Sequence, residues 1–420
     1  MASLLLAIGP TILLAAPRLA VKAGHIIPVG IDPIDYGTIV IEGPRIASIG
    51  GDVVIPPGTR VLDVGDKYVT PGLIDAQSRL FVMDGERGGG ATPELDILDG
   101  LDPFVEEDVE VLAEGVTAVH VYPNGGSLFG GRSAVLKLKK SRSVDGLVLK
   151  RHAAVRAAIG VSGNGTSSSL ERLGDYASLR ETLRKTQLYR KRKQRHDRAM
   201  IEYKRKRAEY DKKAQAKQGE KPKWPGTFGP DPTYEVLTDV LDGKIPLQIE
   251  AHRVPDILNA IRLAEEFGFS LILDRCTEGY LVAEQIARAG VPVIVGPATT
   301  SFVDMPRLEY RRHNPANGAI LAEHRIRVAL GVCGRDGAVS RFVAITAAMA
   351  VGNGMSEDMA LRAVTLSAAE ILGVADRIGS LEPGKDADLV VFSGHPLSAQ
   401  SRVEIVMIEG KVVFERKDAK

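Results

Sequence analysis

The stretch Pro71–Leu80, PGLIDAQSRL, decides the fold. A Pro-Gly pair opens it, a short apolar run follows, and polar residues arrive only at its far end. This is the pattern of a buried parallel strand that runs through a core and delivers its last side chains to a site. Side chains alternate along a strand, so Gln77 and Arg79 are delivered together on one face.

Runs of the same kind recur downstream: VTAVHVYP (116–123), PLQIEAH (246–252), SLILDR (270–275), PVIVGP (292–297) and RVALGVC (327–333). Helical-period segments follow several of them, such as VPDILNAIRLAEEFG and GYLVAEQIARAG. Strands alternating with helices imply a parallel sheet, and their count and length suit a TIM-type (β/α)8 barrel over residues 71–377. Residues 19–70 and 378–416 instead read as short antiparallel strands, rich in Val, Ile, Gly and Pro. Strands at both ends of a chain, with something else between, predict one small composite β-sandwich built from the two termini.

Composition sets outer bounds. The 420 residues carry 54 Lys and Arg against 53 Asp and Glu, a net charge of +1, which argues against nucleic-acid binding over the whole surface. Two cysteines, Cys276 and Cys333, are too few for a disulfide framework. Residues 1–18 form an apolar N-terminal segment, too short to span a bilayer and lacking a basic residue before its apolar core. Both a cytoplasmic and an exported location remain open. No membrane association is expected beyond that segment.

Residues 180–223 stand apart, with three basic residues for each acidic one and no glycine before Gly219. They read as a long exposed helix inserted in the barrel. Tyr189, His196, Tyr203 and Tyr210 recur every seven residues. That narrow stripe could dock on the barrel or on a second chain, so a homodimer is one expectation. The plain alternative is a solvated helical insertion. KPKWPGTFGPDP ends the segment as a Pro/Gly-rich linker.

At this point the residues carry a resemblance. VTPGLIDAQSRL, PLQIEAHRVPDILNAIRLAEEFGFSLILDRCTEGY, GVPVIVGP and ALRAVTLSAAEILGVADRIGSLEPGKDADLVVFSGHPL resemble the amidohydrolase superfamily, in its imidazolonepropionase-like branch. GGSLFGGRSAVLKL (125–138) is similar to that family's Gly-rich loop after an early barrel strand. The resemblance implies a metal-dependent barrel that hydrolyses amide, cyclic amide or related C–N bonds. A divalent ion in such a site lowers the pKa of bound water to about 7 and polarises the scissile carbonyl.

The residues that the resemblance places on the metal depart from what a metal needs. The family's first two His positions fall on Gln77, a feeble ligand, and Arg79, which cannot donate a lone pair. Its carboxylate or modified Lys falls near Val161, its next two His positions on Glu250 and Arg275, and its metal-binding Asp on Cys333. Two guanidiniums beside a dication oppose it by several kcal/mol, on the order of 4 per unit-charge pair at 4 Å. Arg79 and Arg275 are therefore expected to replace the ion's charge, pairing with Glu250, Asp274 or Asp336. A variant keeps surplus positive charge and uses Arg79, Glu250, His252, Arg275 and Asp336 to hold a small anionic or amide ligand.

The reading that follows is a catalytically degenerate member of the family with no metal cofactor, serving as a ligand-binding or structural protein. One alternative is an active C–N hydrolase with Zn regrouped on Glu250, His252, Cys333 and Asp336. Another is an interaction protein that works through its basic helix, with acidic protein, membrane surface or nucleic acid as target. Plainer roles stand beside each residue. His252 serves as a hydrogen-bonded barrel residue, Cys333 as a small buried side chain, and Gly130 and Gly131 as a tight turn.

Overall fold

The computed structural model describes residues 18–82, 92–123, 128–160, 168–213, 220–298, 308–334 and 337–417. Five strands precede residue 72: β1 (Arg18–Ile26), β2 (Ile34–Glu42), β3 (Arg45–Gly50), β4 (Arg60–Asp63) and β5 (Tyr68–Pro71). Ten more follow. They are β6 (Leu73–Ser78), β7 (Val116–Val121), β8 (Phe129–Arg132), β9 (Ala134–Lys137), β10 (Val148–Lys150), β11 (Val155–Ile159), β12 (Leu247–Ala251), β13 (Leu271–Arg275), β14 (Val293–Val295) and β15 (Val328–Leu330). The chain ends with β16 (Leu389–Phe392), β17 (Val403–Ile408) and β18 (Lys411–Glu415).

The first five and last three strands make one sheet, ordered β18-β17-β16-β5-β1-β2-β3, with β4 also on β1. β5 joins the two ends of the chain, because Val69 pairs with Ile26 on β1 and with Val391 on β16. The apolar run LVVF of β16 is explained by burial on both faces. Leu389 and Val391 enter the sheet's own core with Ile39, Ile41, Val69 and Met407. Val390 and Phe392, one residue out of phase, enter the larger core of the molecule.

The motif KDAD (385–388) locks that sheet to the central strands. Lys137 of β9 is fully buried, with its ammonium 2.7 Å from Asp386 and 2.9 Å from Asp388. Asp386 also meets Arg45 at 3.1 Å and Arg377 at 2.7 Å. A buried lysine needs such partners, so these carboxylates are structural.

β6 to β15 form two sheets in a mixed α/β arrangement. One is ordered β10-β9-β7-β6, and the other β15-β14-β13-β12-β11-β8 with β11 to β15 parallel. The two sheets share an interior. Ile74, Ala76, Ala118, Val135, Ile272, Ile294 and Ala329 meet in one apolar layer with Ala368, Ala369 and Leu372 of the helix Leu366–Leu372. β15 and β6 approach at their ends, where the Val332 N–H donates to the Asp75 carboxylate at 3.3 Å. The segment 125–138, expected as a Gly-rich loop, contributes β8 and β9, a correction that follows from its apolar alternation.

The basic helix runs from Ser169 to Lys213, starting earlier and ending sooner than the expected 180–223. A capping box explains its start. The Glu171 N–H donates to the Ser168 hydroxyl at 3.2 Å, and the Glu171 carboxylate accepts the Ser168 N–H at 2.5 Å. Leu179 and Leu183 anchor its first half in the main core. Of the stripe expected to dock on the barrel or on a second chain, Tyr189 reaches the helix Pro232–Leu241, donating to Glu235 and lying 5.5 Å from the Tyr234 ring, while the rings at 189, 196 and 203 also pack on the chain's own return segment. Tyr189 and His196 meet Phe228 at ring distances of 5.3 and 5.5 Å, and Tyr203 meets Trp224 at 5.1 Å. Apolar rings on an otherwise charged helix are covered by the nearest aromatic chain, here the Pro/Gly-rich segment that turns back along it. No described helix is long and apolar enough to cross a membrane.

Candidate functional site

The inner apolar layer ends where the strands reach their C-terminal ends, and a polar layer replaces it. β12 and β13 run in register, with Glu250 beside Asp274, so two carboxylates stand together in the interior. Ala158 of β11 is the neighbour of Glu250 on the other side. Two residues earlier on the same face of β11 is Arg156, whose length carries its guanidinium up between the two carboxylates.

Arg156 Nη1 donates to Asp274 Oδ2, and Nη2 donates to Glu250 Oε2. The guanidinium also lies over the Tyr122 ring, 4.1 Å from its centroid. Gln77 Nε2 donates to the other oxygen of Asp274, while its Oε1 accepts the Cys333 thiol. Glu250 Oε1 accepts from His252 Nε2 at 3.1 Å, and His252 Nδ1 lies 2.7 Å from the Thr277 hydroxyl. Gly331 makes room for this arrangement, since a Cβ there would collide with the Gln77 side chain.

All four carboxylate oxygens of Asp274 and Glu250 are therefore engaged. The electrostatics agree. Burial alone would raise the Glu250 carboxyl, but Arg156, His252 and Arg275 outweigh it and hold the group well below its ordinary range. Arg156 shows the converse. Burial disfavours its charge, and Asp274 and Glu250 more than restore it. Burial pushes the Cys333 thiol well up, which removes it as a thiolate nucleophile. His120, on β7 beneath the network, is pushed down to about 4 by burial, and its Nδ1–H donates to the Ala76 carbonyl at 2.9 Å.

The expected site residues fare differently. Gln77, Glu250, His252 and Cys333 belong to the network. Arg275 stands at its rim, with Nε 3.9 Å from Glu250 and Nη1 3.4 Å from the Cys333 carbonyl. Arg79 is half-buried just beyond β6 and makes no ion pair with Glu250 or Asp274. Val161 and Asp336 lie outside the described residues. The expected pairing of Arg275 with Glu250 is present at 3.9 Å, and Arg156, which was not among the expected residues, donates to both Glu250 and Asp274. Arg156 starts deeper on its strand, between the two acids, whereas Arg275 leaves β13 in the left-handed region, with φ 67°. Arg156 and Arg275 face Glu250 and Asp274.

Sequence reading missed Arg156, although a signal was present. In AAVRAAI (153–159) it is the one polar residue in an apolar run, and an arginine so placed must be buried with partners. Backbone strain marks the same rim. Phe81, Arg275, Cys276 and Cys333 all have positive φ, at 69°, 67°, 46° and 61°. Such conformations in non-glycine residues persist only where surrounding contacts impose them.

Among the described residues the donor set does not fit a divalent metal. A guanidinium fills the space between Glu250 and Asp274, an amide and a thiol hold each other, and the His252 imidazole is bonded at both nitrogens. Among the described residues no three His, Cys, Asp or Glu side chains are grouped to hold an ion. A metal would need Arg156 and Gln77 displaced first.

Comparison with known proteins gives the wider setting. A model described as the amidohydrolase family matches residues 68–413. The chain is 23% identical over 421 residues to the amidohydrolase tasK of Hapsidospora irregularis, a match covering 90% of this chain and 40% of that protein. It is 33% identical over 142 residues to an imidazolonepropionase of Shouchella clausii, covering 31% of this chain and 30% of that one. The chain thus matches well under half the length of these curated relatives. The crystal structure of an amidohydrolase from Thermotoga maritima superposes with a TM-score of 0.80 at 31% identity, over 95% of this chain and all of that one. Phenylurea hydrolase B, at 17% identity and a TM-score of 0.55, shares the fold alone.

Proposed function

The chain belongs to the amidohydrolase family, and on that premise we propose that it is a metal-independent member in which a built-in guanidinium has taken the place of the hydrolytic ion. In this reading the strands β6 to β15 close as a (β/α)8 barrel over residues 71–377, and 19–70 with 378–416 form its composite sandwich. The mouth of the barrel is a structural centre, and the protein serves as a binding or partner protein. It does not act as a metal-dependent hydrolase of C–N bonds.

One observation carries the proposal. Arg156 lies between Asp274 and Glu250 and donates to both. Its guanidinium supplies positive charge where these two acids would otherwise need a cation. Removing one member of a buried ionic set leaves uncompensated charge, so such a set does not open readily to admit an ion. The cleft beside it, lined by Arg275, Thr277, Pro297, His313 and Asn314, has a volume of about 20 Å³, room for about one water.

The test is elemental analysis of the purified protein, followed by a hydrolysis screen with dipeptides, lactams and imidazolones before and after chelation. The expected result is no Zn, Fe, Mn or Ni near stoichiometry and no turnover that chelator removes. A stoichiometric transition metal, with turnover lost on chelation and restored by that metal, overturns the proposal.

A further inference from the structure

The distal half of the long helix does nothing for the barrel. Among the described residues, its side-chain hydrogen bonds and ion pairs beyond Lys193 are made within the helix or, through His196, to the Gly226 carbonyl at 3.1 Å. It is an arm formed by the helix and its return segment.

Two features of the arm coincide. The first is a line of cations without partners. At roughly 100° per residue, Lys191, Arg192, Arg195 and Arg198 fall within a sector of about 120°. All four are exposed. Several other basic residues nearby are occupied. Lys193 pairs with Glu235, Lys206 with Glu202 at 2.7 Å, Arg207 with Asp211 at 2.9 Å, and Arg190 with Asp242 at 2.9 Å. Among the described residues no carboxylate pairs with the four. Of the acids on the same side of the helix, Glu181 is taken by Lys185, Glu202 by Lys206 and Glu209 by Arg205.

The second feature is an aromatic platform at the border of that sector. Trp224 packs edge-on against Tyr203 yet remains 50% exposed. Large aromatic side chains are normally buried when a neighbouring core is available. This one is fixed from one side and open on the other. It is the single tryptophan of the chain.

Fixed cations in a row beside an open aromatic face suit one chemical class of partner, a flexible chain of phosphates bearing flat rings. A symmetric contact between two copies of the arm would set like charges against each other. An anionic bilayer would attract the same cations but offers no flat ring for the open face of Trp224. We propose that the arm binds single-stranded nucleic acid, with Lys191, Arg192, Arg195 and Arg198 on successive phosphates and Trp224 stacked on a base. The proposal is independent of whether the barrel hydrolyses anything.

The test uses the full-length protein and 20-nucleotide oligo-dT and oligo-rU as probes, read by Trp224 fluorescence between 50 and 200 mM salt. The expected result is saturable quenching with a slope of log K against log salt of about −3, four contacts at roughly 0.7 each. The K191Q/R192Q/R195Q/R198Q variant should bring the slope toward zero and weaken binding at 50 mM salt at least tenfold. Its circular dichroism should be unchanged. Trp224→Ala, followed by anisotropy of a labelled oligonucleotide, should keep the slope and weaken binding about tenfold. Three results each overturn the proposal. They are no binding at 50 mM salt, binding that the quadruple variant retains in full, and equal binding of duplex DNA or phosphatidylserine vesicles with no change in Trp224 fluorescence.

Discussion

Arg156 and Arg195 are the same side chain in opposite settings. Arg156 lies in the centre of the molecule, donates to two carboxylates and covers a tyrosine ring. Arg195 stands on the arm, exposed and without an ion pair among the described residues. A buried cation cannot remain without partners, so the core supplies them and the residue becomes structural. An exposed cation stays solvated at little cost and keeps its capacity to bind something else. The contrast teaches that charge is spent internally where it is buried and remains available where it is not.

The largest expected effect tests the buried side. Arg156→Met leaves Asp274 and Glu250 facing each other with their cation gone, and should cost about 3–5 kcal/mol in urea denaturation. Arg195→Met should leave the denaturation midpoint within error of wild type. Neutralising both acids as well, in R156M/D274N/E250Q, should recover most of the loss, because the uncompensated charge disappears. If Arg156→Met costs less than about 1 kcal/mol, the network is not what holds the centre together, and the comparison breaks.

A second effect, nearly as large, comes from His120. Burial lowers its folded value to about 4, against about 6.5 in an unfolded chain. Between those limits the unfolded chain binds more protons, so stability should rise as pH goes from 4 to 6.5 and be fully present above. The span corresponds to something on the order of 3 kcal/mol. Asp256 opposes it, because burial raises its carboxyl to about 6, and that contribution falls as pH rises from about 4 to 6. The difference between wild type and His120→Asn isolates the histidine. A pH dependence identical in the two proteins would mean that His120 is accessible to protons, and hence that the centre is wetter than its packing shows.

Much of this was legible in the sequence, for a physical reason. Apolar runs such as SLILDR and PLQIEAH must be buried strands whatever surrounds them, and β13 and β12 fall within those runs. Gln77, Glu250, His252 and Cys333 were equally visible as candidates, and they meet in one network. What was not legible was which cation would reach the carboxylates. That depends on strand register, and Arg156 sits one step deeper than Glu250 on a strand hidden by its own Ala-rich brevity. The fate of the Tyr189–His196–Tyr203 stripe was hidden for a related reason. Period seven says that a helix has a narrow apolar seam, and only the path of the chain after Lys213 says what covers it.

The smallest expected effect separates the two regions most finely. Trp224 holds the return segment against Tyr203, and an edge-to-face aromatic pair contributes about 0.5–1.5 kcal/mol beyond its buried area. In the main body of the molecule a loss of that size would appear in global unfolding. On an arm whose distal half touches little but its own return segment, it should appear only in local opening. Trp224→Ala should therefore speed hydrogen exchange of the amides from Ala199 to Tyr210 about five- to tenfold. Those of β12 should be unchanged, and so should the urea midpoint. A shift of the global midpoint instead would show that the arm and the buried centre unfold as one unit, so that a ligand held on the arm would be felt at Arg156.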